Sequence, residues 1–390
     1  MNILLFTQSL AGGGTERTVA TLANHWTTRG WEVTVATLAP QAEDFYGLHP
    51  AVARVALDLA GPSGNPIAAA RQNLRRVRAL RRLLERVRPG VAVAMMSTPN
   101  VLLALAGRGL PGLVAVGSEH CYPPHAPLGR LWSAARRRTY GRLGAVVALT
   151  DECRCWIETH TSARSVPVIP NAVACPLPSI PPRIAPDAVL APGRKVLLAA
   201  GRLDPVKNLE ALLAAFARLA PVHPDWDLVL LGDGPERGAL HAAIGALGLG
   251  GRVVLPGIAG NVGEWHARAD LYVLTSHSEG FPNALAEALC HGVPAVSVDC
   301  DTGPRDIVRH GVDGLLVAPG DPAALAQALG QLMGDGALRR QFAARAAEAR
   351  ERFSIERIAA LWEALFVRLA ATQAAAARGA GAASRQEFLS

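Results

Sequence analysis

Lysine is almost missing from this chain: of 390 residues, only Lys195 and Lys207 carry an ammonium group. The formal charge of +7 therefore rests on arginine, a bias that reflects a high-GC genome as much as a function. Charged residues are also scarce, at 18%, while half the chain is hydrophobic. Even so, no run of about 18 uncharged apolar residues occurs, so no membrane-spanning helix is expected. The six cysteines, at 121, 153, 155, 175, 290 and 300, show no C-x2-C metal spacing, and Cys153-x-Cys155 is a weak signal alone. They read as reduced, mostly buried small residues. The chain opens directly on the strand-like stretch 2–7, with no basic stretch, apolar core and cleavage site of a signal peptide ahead of it, so a cytoplasmic protein is expected. No nucleic-acid-binding motif accompanies the positive charge, so nucleic acid is not an expected partner.

What the chain does have is a run of strand, loop and helix signals in regular alternation. Strands are expected near 2–7, 31–38, 52–57, 91–95, 113–117, 145–149 and 166–169, and again at 195–200, 227–231, 253–256, 270–275 and 293–298, with a further turn and strand over 311–319. That βα rhythm argues doubly wound parallel sheets. A proline-rich stretch after Asn171 (Pro176, Pro178, Pro181, Pro182, Pro186, Pro192) has linker composition, and the strand pattern restarts at Lys195. Thr150 and Asp151 read as the cap of a helix.

The central stretch is Ser276–Ala288, SHSEGFPNALAEA. It carries Glu279 in the loop after a buried strand, and Glu287 a little over a turn into the next helix. Ligands of open α/β sheets bind at that end of the strands. The backbone N–H groups of Asn283, Ala284 and Leu285, at the helix start, would offer an anion site. A phosphate there, with one acid on each side for hydroxyls, suits a sugar nucleotide. Upstream, Arg202 and Lys207 bracket the turn that follows strand 195–200, where a diphosphate would need two cations. Gly12-Gly13-Gly14 opens the first helix and lets the backbone approach a ligand. The G-x-G-x-x-G of a dinucleotide-binding dehydrogenase is not met there.

In this order the motifs resemble those of the retaining glycosyltransferases of family 4, over most of the chain. The resemblance rests on the G-G-x-E-R of Gly13–Arg17, Ser118-Glu119-His120, Gly201-Arg202-Leu203 with Lys207-Asn208, Gly232–Arg237, Glu279-x7-Glu287 and Asp299–Asp306, where Asp306 stands for the usual Glu. It implies the GT-B fold, two doubly wound Rossmann-like domains facing a central cleft, with boundaries at 1–171 (acceptor side), 172–355 (nucleotide sugar) and 356–390 (crossing helix and a loose tail from Gln373). For the residues it implies that Glu279 touches the donor sugar, Glu287 the ribose, Arg202 and Lys207 the diphosphate, and Gly13 and Gly14 the donor phosphate and acceptor. His120 would lie beside the sugar, a neutral imidazole able to bond a hydroxyl; Glu119 is its neighbour or simply solvated.

The reaction so implied moves a hexose or N-acetylhexosamine from a nucleoside-diphosphate sugar to an acceptor hydroxyl, with retained configuration. No cofactor is expected. Asp225-x-Asp227 and Asp299-x-Asp301 have a metal-type spacing but read as coincidental, with the cations taking the place of a metal. Arg71–Arg88 holds eight arginines and one acid on a helical pattern, and Arg130–Arg142 five arginines around Trp132 and Tyr140. Such helices suit an anionic membrane surface, here the inner face of a bacterial membrane, and favour a polyprenol- or lipid-linked acceptor. They also fit ordinary amphipathic helices with arginine on the wet side. The other readings are a transferase with a soluble acceptor, a UDP-sugar 2-epimerase of the same fold, and a membrane-docked scaffold with a vestigial pocket.

Overall fold

In the computed structural model, residues 1–61 and 64–387 are described, with side chains through 375. The chain divides into two compact units: Met1–Ala172 together with the chain from Ile355 onward, and Val173–Ser354.

The first unit is a six-stranded parallel sheet of β1 (Asn2–Thr7), β2 (Glu32–Thr37), β3 (Ala53–Ala56), β4 (Val91–Met95), β5 (Val114–Ser118) and β6 (Ala145–Val147), in the order β3-β2-β1-β4-β5-β6. Its strands are near-continuous apolar runs because helices cover both faces; β4 is buried at every position. The helix Gly14–Thr28 lays Val19, Leu22, Ala23 and Trp26 on one face of the sheet. On the same side the last helix, Ile355–Glu387, buries Ile358, Trp362, Leu365 and Phe366. Trp26 ties the two helices together, donating from Nε1 to Glu363 at 3.2 Å.

The second unit repeats the plan with β7 (Lys195–Ala200), β8 (Trp226–Leu231), β9 (Val253–Gly257), β10 (Leu271–Leu274), β11 (Ala295–Val298) and β12 (Gly314–Val317), ordered β12-β11-β10-β7-β8-β9. Leu209, Leu212, Leu213 and Phe216, at i, i+3, i+4 and i+7, seat the helix Leu209–Leu219 on this sheet. In each sheet the strand order reverses at one point, between β1 and β4 and between β7 and β10. The loops leaving those strands at their carboxyl ends are where such folds bind ligands.

Three stretches differ from the expected pattern. The stretch 166–169 is not a ladder strand: it forms a single bridge, Val168 with Ala148. Pro167, inside it, and Pro170, after it, carry no N–H for a ladder. The chain from Gln373, expected as a tail, continues the last helix to Glu387; the end of the expected tail, 388–390, lies outside the described residues. By length and composition alone, the helical stretch Gly336–Ala375 is apolar enough to cross a membrane, although no such stretch was expected. It is broken into separate helices, and the apolar face of its last segment packs in the first unit's core. Thr150 does cap its helix, its Oγ1 accepting from Cys153 N–H at 3.2 Å.

Candidate active site

In the second unit the switch point between β7 and β10 is built from two loops. After β7 the chain runs through Gly201–Asp204 into a single turn, Pro205–Lys207, that Asp204 caps by accepting from Val206 N–H at 3.1 Å. After β10 it runs through Thr275–Pro282 into the helix Asn283–Cys290. The loops are laced together: Thr275 Oγ1 donates to the Lys207 carbonyl at 2.8 Å, and His277 N–H to Val206 O at 2.8 Å.

Across this lacing Lys207 Nζ meets Glu279 Oε1 at 2.7 Å, with Lys207 three-quarters and Glu279 nearly nine-tenths buried. Ser276 Oγ donates to the same carboxylate oxygen at 2.6 Å, and Thr302 Oγ1 donates to the Glu279 carbonyl. The structure thus brings Lys207 and Glu279 together. Arg202, in the same loop, points outward, 73% exposed and paired with Asp204. A pocket opens here, lined among others by Gly201, Arg202, Lys207, Thr275 and Ser276.

The two further motif segments support these loops by close backbone approach. Gly232 has φ +135°, and a Cβ on it would fall 2.0 Å from the Gly201 carbonyl; one on Gly234 would fall 2.2 Å from Leu203 O. Only glycine lets the Gly232–Arg237 loop lie against Gly201–Leu203. Gly303, at φ +97°, lies under Pro282 in the same way.

Glu287 is 3% exposed on the inner face of the helix Asn283–Cys290. Its Oε2 lies 3.8 Å from Nε2 of His266, a residue that belongs to the helix Val262–Arg268. Of the three backbone donors expected at the helix start, Leu285 N–H already bonds Pro282 O at 3.0 Å. A 3₁₀-type first turn takes it out of any anion site.

In the first unit Gly13 is the extended cap of the helix that Gly14 begins, at the carboxyl end of β1. Glu16 is turned back there, accepting from Ser9 Oγ at 3.3 Å. His120 follows β5 and is buried, with Nε2 3.2 Å from Ser118 Oγ and Nδ1 without a hydrogen-bond partner. Burial lowers its pKa to about 4, so the ring is neutral at neutral pH. Glu119 is not solvated. It is buried, accepts from Ser97 Oγ at 2.8 Å and from the Tyr140 hydroxyl, and has its pKa raised by burial against the pull of those donors and Arg136. Arg136 is likewise withdrawn from the basic surface, buried over the Trp156 ring at 4.6 Å.

The metal-type spacings are otherwise engaged: Asp227 pairs with Arg194 at 2.5 Å, Asp225 with Lys195 at 2.7 Å, and Asp299 with Arg305 at 3.0 Å. Among the described residues no three His, Cys, Asp or Glu are grouped to hold a metal ion. The residues that sequence reasoning passed over are Ser276, Thr302 and His266. Ser276, three residues before Glu279, was the legible one; the other two reach the acids only through the fold.

Two family models divide the chain between them. The model described as glycosyltransferase family 4 matches residues 12–175, and that of group 1 glycosyl transferases matches 183–349. The chain belongs to the family 4 glycosyltransferases. This GT-B chain overlays sucrose-phosphate synthase from Thermosynechococcus elongatus with a TM-score of 0.80 at 20% identity, covering 95% of this chain and 100% of that one. It is 40% identical over 230 residues to an exopolysaccharide phosphotransferase of Streptomyces coelicolor, 58% of this chain but only 24% of that protein. It is 27% identical over 365 residues to a Campylobacter jejuni α-1,4-N-acetylgalactosaminyltransferase named for an undecaprenol-diphosphate-linked acceptor, covering 93% of this chain and 97% of that one. Several other curated relatives are spanned over less than half of their length.

Proposed function

We propose that this family 4 member transfers a hexose or N-acetylhexosamine from a nucleoside-diphosphate sugar to a hydroxyl of a lipid-linked glycan, with retained configuration. The observation that carries the reading is the Lys207–Glu279 pair at the switch point of the second sheet. A sugar nucleotide needs positive charge for its diphosphate and an oriented acceptor for its sugar hydroxyls, and both meet here within 2.7 Å.

Breaking the bond between the sugar and the diphosphate builds negative charge on the departing phosphate oxygen. Lys207 and Arg202 meet that charge, and the helix dipole at Asn283 and Ala284 adds to it. Glu279, held by Ser276 and Lys207, accepts from donor-sugar hydroxyls, and Glu287 from the ribose. In the first unit Gly13 and Gly14 give close access at a helix start, and neutral His120 offers its Nδ1 to a sugar hydroxyl. A polyprenol-linked acceptor at the inner membrane face is favoured by the Campylobacter relative's printed acceptor and by exposed apolar residues among the arginines, Ile67 at 68% and Leu131 at 84%.

The test is turnover with a panel of nucleotide sugars and detergent-extracted bacterial lipid, following nucleotide release and label entering lipid. Acceptor-dependent release from one donor, lost in Glu279→Ala and Lys207→Ala, is expected. Isomerisation of the donor without acceptor would replace the transferase by an epimerase.

A further inference from the structure

Glu287 sits among three polar rings, of Tyr272, His291 and His266. Tyr272 already donates from its hydroxyl to Ala200 O at 3.3 Å. His291 has Nδ1 at 2.8 Å from the Glu287 carbonyl, a bond to the backbone and not to the carboxylate. His266 differs from both. It is fully buried, and neither ring nitrogen has a hydrogen-bond partner. The ring is stacked on His291 with centroids 5.4 Å apart and tilted against Tyr272 at 5.8 Å, so its plane is held from two sides.

An imidazole buried with both nitrogens unsatisfied is costly, and native cores rarely keep one without a use. A charged acceptor lies beside it, the Glu287 carboxylate, 3.8 Å from Nε2. That gap exceeds a hydrogen bond by less than 1 Å, which a small ring rotation or carboxylate swing closes.

We propose that His266 is the positioning residue for Glu287: its Nε2–H donates to Oε2 and turns the carboxylate so that its other oxygen accepts from a ribose hydroxyl. His266 does not touch the ligand. Its effect is to set the direction of that carboxylate. The inference rests on the reading of Glu287 as the ribose contact, and deepens it by naming what orients that contact.

The test is equilibrium binding by calorimetry. UDP, ADP and GDP are screened, and the tightest binder is compared with its 2′-deoxy and 3′-deoxy forms on wild type, Glu287→Gln, His266→Phe and His266→Gln. Phe keeps the stacked ring without a donor, while the Gln amide can donate near the Nε2 position; both fill the site, and circular dichroism checks folding. Wild type should prefer the ribonucleotide over one deoxy form by roughly tenfold or more. Glu287→Gln and His266→Phe should both lose most of that preference, and His266→Gln should keep it. If Glu287→Gln loses the preference while the two His266 variants behave alike, the positioning role is overturned and the ribose contact stands. If Glu287→Gln keeps the preference, or no nucleotide binds, the ribose reading falls and the inference with it.

Discussion

Lys207 Nζ and Glu279 Oε1 lie 2.7 Å apart although 72 residues separate them in the chain. They come from the loops after β7 and β10, the adjacent strands between which the order of the second sheet reverses. The ion pair uses one of the three hydrogens of the ammonium, so a diphosphate can be gripped without breaking it. One of only two lysines in the chain stands at this position. A flexible point charge suits a phosphate oxygen that moves during bond cleavage better than a rigid guanidinium fork does.

Lys207→Ala and Glu279→Ala should each lower kcat/KM by about 10²–10³, the range for removing one preorganised electrostatic partner of a transition state. Because each holds the other, the double variant should be little worse than the worse single one. Steady-state kinetics on the three variants checks this; losses that multiply would mean that the two side chains act separately.

Gly232→Ala and Gly234→Ala should damage the same site from behind. A Cβ at either position would fall 2.0–2.2 Å from a backbone carbonyl of the Gly201–Leu203 loop, and Gly232 has a φ of +135° as well. The expected cost is about 1–3 kcal/mol of stability for Gly232→Ala, with weaker binding of the nucleoside diphosphate in both. Chemical denaturation followed by titration of UDP measures both effects. Unchanged binding in both variants would show that the Arg202 loop does not depend on this backing.

Most of the strand pattern and the two-unit plan could be read from the sequence, because buried parallel strands are short apolar runs between turn residues. The loops at strand ends could be read too, and with them Lys207 and Glu279. What could not be read is what depends on tertiary neighbours. Glu119 follows an apolar strand like any solvated loop acid, yet Ser97 and Tyr140, both distant in the chain, bury it. Arg136 stands among five arginines in the sequence, yet it alone of the five is buried, over Trp156. Leu285 looked like a free donor until the tight first turn of its helix gave its N–H to Pro282.

The folded protein should resist acid less well because of His120. Its pKa is about 4 in the folded chain and 6.5 in the unfolded reference, so on acidification the unfolded chain takes up the proton first. The stability linked to this group is fully present above pH 6.5 and drains away towards pH 4, a loss of about 3 kcal/mol. Glu119 acts in the opposite sense: its raised pKa means that the folded state binds a proton more readily, adding stability as pH falls through the folded value. His120→Gln removes the first effect and leaves the second. Its urea midpoint should therefore fall less between pH 7 and pH 4.5 than that of wild type; parallel falls would mean that the ring is not kept neutral.

The membrane reading depends on the first half of the helix Pro66–Val87. Its second half packs Leu80, Leu83 and Leu84 into the core, as any amphipathic helix would. Its first half does not: Ile67 and Leu74 are exposed, and Arg71, Arg75 and Arg78 are exposed beside them. At 67, 71, 74 and 78 the spacing is that of one helical face, an apolar and cationic stripe with Ile67 68% exposed. Each arginine near an anionic bilayer contributes about 1 kcal/mol, so neutralising the three as Arg71→Gln, Arg75→Gln and Arg78→Gln should weaken partitioning about a hundredfold at low salt. Co-sedimentation with phosphatidylglycerol-containing vesicles measures it, with phosphatidylcholine vesicles as the comparison. The same variant should bind nucleoside diphosphate normally, since none of the residues proposed to contact it lies on this helix. Equal binding of wild type to both vesicle types would remove the electrostatic argument. Unchanged binding of the triple variant to anionic vesicles alone would move the docking surface to the helix Arg130–Thr139, where Leu131 stands exposed between Arg130 and the arginines 137 and 138.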